Sequence, residues 1–246
     1  GLYGESLFQR LEGEFAIAIW DNNTEELLLY RDMMGVRPLF FSYEFGRLGF
    51  SSNARGLLKL PFVSSEVNRE SVSEYLAFRY SLAPKTLIRD VKQLPPGYLV
   101  KFTNAGYSKR RVAKVNWCKP ESPALADGDL VWRLEGALSR AVDRAFLKGK
   151  TGLFLSGGVA SAAVAAMALR SGADINTYHI ALDQLHGDEV SFAGRAAKLF
   201  GTNHKNIVIG RQEWFAALEK AVDAVDAPVP STAAVSEYLL CEAVAM

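Results

Sequence analysis

The chain is poor in the residues that brace a scaffold covalently or through metal. Its 246 residues include only two cysteines, Cys118 and Cys241, and three histidines. The cysteines are far apart in sequence and match no metal-ligand spacing, and so few thiols exclude a disulfide framework. A cytoplasmic, reducing setting is the expectation. His179, His186 and His204 fit neither a helical metal pair nor a zinc knuckle. Charge of one sign is also missing, because 28 Lys and Arg against 27 Asp and Glu leave +1. Nonspecific nucleic-acid binding rests on clustered cations, so no nucleic-acid partner is expected. No apolar run approaches the roughly 20 residues of a membrane helix, and no signal-peptide pattern opens the chain. Hence no membrane partner is expected. With 49% hydrophobic and 22% charged residues, disorder and collagen-like repeats are excluded too.

What is present divides into two styles. The first half reads as β-rich. Phe15 to Trp20 is a continuous apolar run, which predicts a strand buried on both faces. Turn residues at 21–24 and a second run at 26–30 complete a hairpin. Residues 38–43 and 48–52 predict another hairpin around Gly46, with a short helix at 53–58. A helix is expected over 70–79 and a strand over 98–102, the latter after the Leu94-Pro95-Pro96-Gly97 turn. The second half alternates: helices near 129–147, 159–169, 189–200 and 212–222, with strands near 152–155, 175–182 and 206–209. A last helix is expected from Ser236 onward. Such alternation implies a parallel sheet with right-handed crossovers. Between the halves, residues 108–129 carry Lys109, Arg110, Arg111, Lys114 and Lys119 with little apolar periodicity. This stretch reads as a solvated linker, with a basic partner-binding site as the lesser alternative.

The feature that carries chemistry is Leu153-Phe-Leu-Ser156-Gly157-Gly158-Val159-Ala160-Ser161, a strand, a small-residue turn and a helix start. Ser156 offers a hydroxyl, the glycines allow close approach to the backbone, and the helix start presents unpaired N–H groups. Together they predict a phosphate site. It is not of the Walker type, because the Gly-Lys-Ser/Thr element is absent.

Leu155 to Ser161 resembles the Ser-Gly-Gly-x-Asp-Ser pyrophosphate loop of the asparagine synthetase-like, glutamine-dependent amidotransferases. Thr177 to Asp183 is similar to that family's second strand. Asp188-Glu189, Ala196-Ala197, Leu199 to His204 and Asp226 to Ser231 resemble its later segments. Upstream, Leu11 to Asp21, Arg31 to Leu39 and Val91 to Gly97 resemble the back half of its glutaminase domain. The implied fold is α/β: a partial Ntn-type αββα sandwich (1–110), a linker (111–128), and a Rossmann-like parallel-sheet ATP-pyrophosphatase domain (129–246), both domains incomplete. The implied activity is ATP-dependent, glutamine-using amidation of a carboxylate, most simply aspartate to asparagine, through an acyl-adenylate. By resemblance the cofactors are ATP and Mg. Leu155, Ser156, Gly157, Gly158 and Ser161 would hold ATP, Ile180 would lie near its adenine, and Asp188 is a possible metal ligand. Glutamine and an aspartate-like carboxylate are the implied partners, and a homo-oligomer stays open.

Three departures qualify this. The N-terminal Cys nucleophile of the family is absent, so the chain as given is not expected to hydrolyse glutamine; Cys118 is read as structural or incidental. Ala160 replaces the loop Asp, and a methyl group cannot ligate a hard cation. The family's later Ser-Gly-Glu-Gly-x-Asp-Glu type motif does not occur. Two alternatives therefore stand beside amidation of aspartate. One is a degenerate, non-catalytic nucleotide-binding module. The other is a relative acting on another carboxylate, in β-lactam or peptide ring closure.

Other candidates have plainer readings. Arg31-Asp32 is expected to be a structural ion pair. Leu39-Phe40-Phe41, Trp214 and Phe215 are expected to pack. His179 should lie in or beside a strand and His204 in a loop. Asp188-Glu189 serves equally as a helix start, where acidic residues suit the dipole.

Overall fold

The computed structural model describes residues 4–115, 127–145, 149–183, 188–225, 229 and 231–245. They form a mixed α/β chain that divides into two compact units. One comprises Gly1–Trp117 with Val225–Ser231, the other Cys118–Ala224 with Thr232–Met246.

The first unit is built from β1 (Ala16–Asp21), β2 (Glu26–Arg31), β3 (Phe40–Glu44), β4 (Arg47–Ser51), α1 (Ala54–Leu57), α2 (Arg69–Phe78), β5 (Lys92–Gln93), β6 (Tyr98–Thr103) and β7 (Gly106–Arg111). Two antiparallel sheets result, in the orders β1-β2-β6-β7 and β4-β3-β5. Period-two alternation sorts their side chains into layers. Leu29, Phe41, Val100 and Phe102 pack together with Leu39 and Leu94 in one core. Their neighbours Tyr30 and Leu99 pack on Phe8, in the helical turn Gly4–Gln9. On β3, Phe40 turns instead to Ala54 and Leu57 of α1. The layering is therefore helix, sheet, sheet, helix, and Leu39-Phe40-Phe41 is core as expected.

Two expectations change here. The Phe15–Trp20 run is not buried on both faces: among the described residues β1 is a sheet edge, and Ile19 and Trp20 are 36% and 56% exposed. Apolar continuity reveals a preference for burial but not what supplies the cover. Residues 108–111 are not linker either. They form the exposed end of β7, paired from Tyr98↔Arg111 to Thr103↔Gly106. An edge strand with one wet face tolerates the cations that make the sequence look unstructured.

The second unit contains α3 (Asp127–Ala145), β8 (Thr151–Phe154), α4 (Val159–Arg170), β9 (Ile175–Leu182), α5 (Asp188–Phe200), β10 (Asn203–Ile209), α6 (Arg211–Ala224) and α7 (Ala233–Ala245). The strands are parallel in the order β10-β9-β8. Leu153, Leu155 and Ile175 meet Val142, Ala165, Ala168 and Ala197 of α3, α4 and α5 in one core. Ile180, Leu182 and Ile209 meet Ala217, Ala221, Val235 and Leu239 of α6 and α7 in the other. Helices thus cover both faces, the condition under which parallel sheets occur. Trp214 packs into this second core, while Phe215 is 56% exposed and stands edge-on to it. His179 is buried in β9 as expected. His204 is not in a loop, because β10 begins at Asn203. The polar run Asn203-His-Lys-Asn206 hides its strand character, and pairing with β9 supplies what propensity does not.

Candidate functional site

The site is the turn that joins β8 to α4. β8 ends as Leu155 N–H donates to the Tyr178 carbonyl at 2.8 Å, and the Leu155 side chain is fully buried. The chain then leaves the sheet at the C-terminal end of its strands, where ligands bind in open α/β sheets. Gly157 has φ +79°, and a Cβ placed there would lie 2.6 Å from the Ala193 nitrogen and the Phe192 carbon of α5. Only glycine allows the turn to press against that helix.

Ser156 and Ser161 tie the turn together. Ser161 Oγ donates to the Gly158 carbonyl at 3.1 Å and accepts the Ser156 N–H at 3.3 Å. The two hydroxyls bond at 3.0 Å, and the Gly158 N–H donates to Ser156 Oγ at 3.3 Å. Gly158 is the N-cap of α4 and has no side chain to cap it. The helical ladder opens with Ala162 N–H donating to the Gly158 carbonyl at 3.0 Å. The N–H groups of Val159, Ala160 and Ser161 therefore lie in the first turn, ahead of any intrahelical partner. Val159 and Ala160 are exposed. The turn offers backbone donors in a glycine-lined approach, which suits the oxygens of a phosphate chain.

The expected residues are placed as follows. Ser156, Gly157, Gly158 and Ser161 converge in this turn, while Leu155 gives its side chain to the core. Ile180 lies in β9, paired with Ile207, and faces the core beneath α6 and α7. Asp188 is the first residue of α5, and its side chain lies outside the described residues, as do Cys118 and His186. Magnesium does not fit the turn. Ala160 presents a methyl group, and the first turn of α4 has no acidic residue. Among the described residues, no group of three His, Cys, Asp or Glu is placed to hold a metal ion.

Sequence reading missed two features. Phe192, which backs Gly157, lies under the Arg195 guanidinium at 4.5 Å from ring centroid to Cζ. Thr177, fully buried in β9, bonds Thr202 Oγ1 at 2.8 Å and His204 Nδ1 at 2.9 Å, and His204 Nε2 meets Asn206 Oδ1 at 3.1 Å. Neither set is contiguous in sequence, and only the strand register joins the second.

In the first unit, Arg31 and Asp32 are structural, but each bonds the backbone. Arg31 donates to the carbonyls of Arg37 at 2.7 Å, Leu94 at 2.8 Å and Gly35 at 2.5 Å. Asp32 accepts the N–H groups of Met34 at 3.1 Å, Val36 at 3.0 Å and Arg37 at 3.0 Å. Burial pushes the Asp32 carboxyl up, yet the loop N–H groups outweigh it and hold the group below the ordinary carboxylate range.

A glutamine amidotransferase domain model matches residues 1–113, and an asparagine synthase model matches residues 133–246. A Mycobacterium tuberculosis protein named provisionally as an asparagine synthetase (glutamine-hydrolyzing) is 30% identical over 97% of this chain and 37% of its own length. Asparagine synthetase (glutamine-hydrolyzing) 1 of Bacillus subtilis is 26% identical over 98% of this chain and 38% of its own. The amidase chyE of Penicillium rubens is 24% identical over 98% and 38%. The chain thus spans well under half the length of these relatives.

Proposed function

Because the chain belongs to the asparagine synthetase-like glutamine amidotransferases, we propose that its protein uses ATP to amidate a carboxylate, with glutamine as the nitrogen source. Aspartate is the simplest acceptor, activated as an acyl-adenylate in the cytoplasm. The carrying observation is the Leu155–Ser161 turn, which opens onto the uncapped start of α4. We assign residues 1–111, through the end of β7, to the glutaminase portion, 112–128 to a linker and 129–246 to the ATP-pyrophosphatase portion.

When bound, ATP supplies the leaving pyrophosphate that makes the carboxylate reactive. The turn holds its phosphates through first-turn N–H groups, and the Ser156 and Ser161 hydroxyls brace it through their mutual hydrogen bond. Donors fixed before the ligand arrives stabilise developing negative charge without reorganising, which is the larger part of such catalysis. Gly157 keeps the turn against α5 so that these donors stay aimed. Ile180 contributes backbone beside the base. Asp188 is the acidic position left for a magnesium ion, and no step is routed through it.

The absence of a carboxylate at Ala160 favours a second reading, a nucleotide-binding module without catalysis. Relatives named both as synthetases and as an amidase favour a third, in which another carboxylate is the acceptor. Exchange of label between pyrophosphate and ATP separates them. It is run on this chain and on the complete reading frame that carries it. Exchange that needs aspartate is the expected result. Exchange that needs a different carboxylate supports the third reading, and none with any carboxylate supports the second.

A further inference from the structure

We infer that the Leu155–Ser161 turn takes the phosphates of its nucleotide without a metal ion held by the turn, an inference that rests on the nucleotide reading proposed above. A divalent cation of the magnesium type needs oxygen ligands with free lone pairs, preferably anionic ones. Three side chains here stand where such ligands would be: Ser156, Ala160 and Ser161. Ala160 has no oxygen. Ser161 Oγ has spent its proton on the Gly158 carbonyl and its lone pairs on the Ser156 N–H and the Ser156 hydroxyl. Ser156 Oγ has spent its proton on Ser161 and one lone pair on the Gly158 N–H, so one neutral lone pair is left.

The N–H groups of Val159, Ala160 and Ser161, which lie ahead of any intrahelical partner, are donors. The first turn of α4 contains no acidic residue, and its N–H groups carry the positive end of a helix of 12 residues. Donors of this kind gain from each negative charge on the ligand, and a bound divalent cation cancels two of those charges. With no carboxylate in the first turn of α4 to gain from the cation in return, metal-free nucleotide is the better ligand for the turn. An aspartate at position 160 would invert this, repelling bare phosphate and recruiting the cation.

Calorimetric titration of the 246-residue chain with ATP, once in excess EDTA and once in excess Mg2+, tests the inference. The expected affinity in EDTA is equal to that in Mg2+ or tighter, by up to about tenfold for the added charge at a helix start. In Ala160→Asp the order reverses, with binding weakened several-fold in EDTA and restored by Mg2+. A carboxylate in a first helical turn is stabilising, so this variant stays folded. Binding by the parent chain that requires Mg2+ overturns the inference and leaves the nucleotide reading standing. No saturable binding in either buffer overturns that reading and the inference with it.

Discussion

Asp32 shows how a single residue can fix a loop through charge. Its carboxylate is 1% exposed and gathers N–H groups from residues 34, 36 and 37. Hydrogen bonds to a charged acceptor contribute about 1.5–3 kcal/mol. The amide of Asp32→Asn keeps the shape but presents only one neutral acceptor, so the variant should unfold at lower denaturant by about 2 kcal/mol at neutral pH. The sign of the pH dependence follows from the lowered folded-state pKa. Stability from ionised Asp32 is fully present above the unfolded value of about 4 and is lost as pH falls through the folded value. The gap between parent and variant should thus narrow below about pH 4 in urea titrations. Equal gaps at pH 7 and pH 3 would count against the charge. The sequence marked this pair as structural, but Arg31 and Asp32 being adjacent suggested a bond with each other. The partners, Leu94 among them, lie in loops whose return path is invisible to local pattern.

At the scale of elements, the contact between the β8–α4 turn and α5 is the most exposed to test. Gly157→Ala adds a methyl 2.6 Å from backbone atoms at φ +79°. Both the close approach and the left-handed conformation penalise it, by about 1–3 kcal/mol. Thermal unfolding should fall accordingly, and ATP affinity should drop more than tenfold because the donors lose their aim. Gly158→Ala meets only Ser156 Oγ, at 3.4 Å, and should be milder on both counts. Elements with a strong period were legible: β9 occupies 175–182 and α4 occupies 159–170, within a residue of expectation. β7 and the start of β10 were not, since Tyr107-Ser-Lys-Arg-Arg111 and Asn203-His-Lys-Asn206 owe their strand state to neighbours rather than to apolar content. The turn was legible because glycine spacing and hydroxyl placement are local. The Thr177–Thr202–His204 network was not, because it needs the register of two strands.

For the whole molecule, the ligand's footprint offers a test that activity does not. With ATP bound, amide hydrogen exchange should slow over 155–162 and along α4, while the β2–β6 pairing of the first unit keeps its rate. Equal slowing in both units would mean that ATP binds elsewhere or stabilises the chain globally, and the turn would lose its assignment. No helix among the described residues is long and apolar enough to cross a membrane. The sequence separated two styles of fold, β-rich and then alternating, because hydrophobic period changes between them.

The first unit also has a consequence for anyone dividing the gene. It is not one stretch of chain, since Val225–Ser231 belongs to it, and Tyr75 Oη donates to the Val229 carbonyl at 2.8 Å. A cut after residue 117, clean on a linear map, would strip that acceptor from Tyr75 and leave α2 with a donor to re-solvate. Modularity read along the sequence and modularity read in space are different partitions of this protein. A truncation that respects only the first will express a piece in which Tyr75 has lost an acceptor 154 positions away.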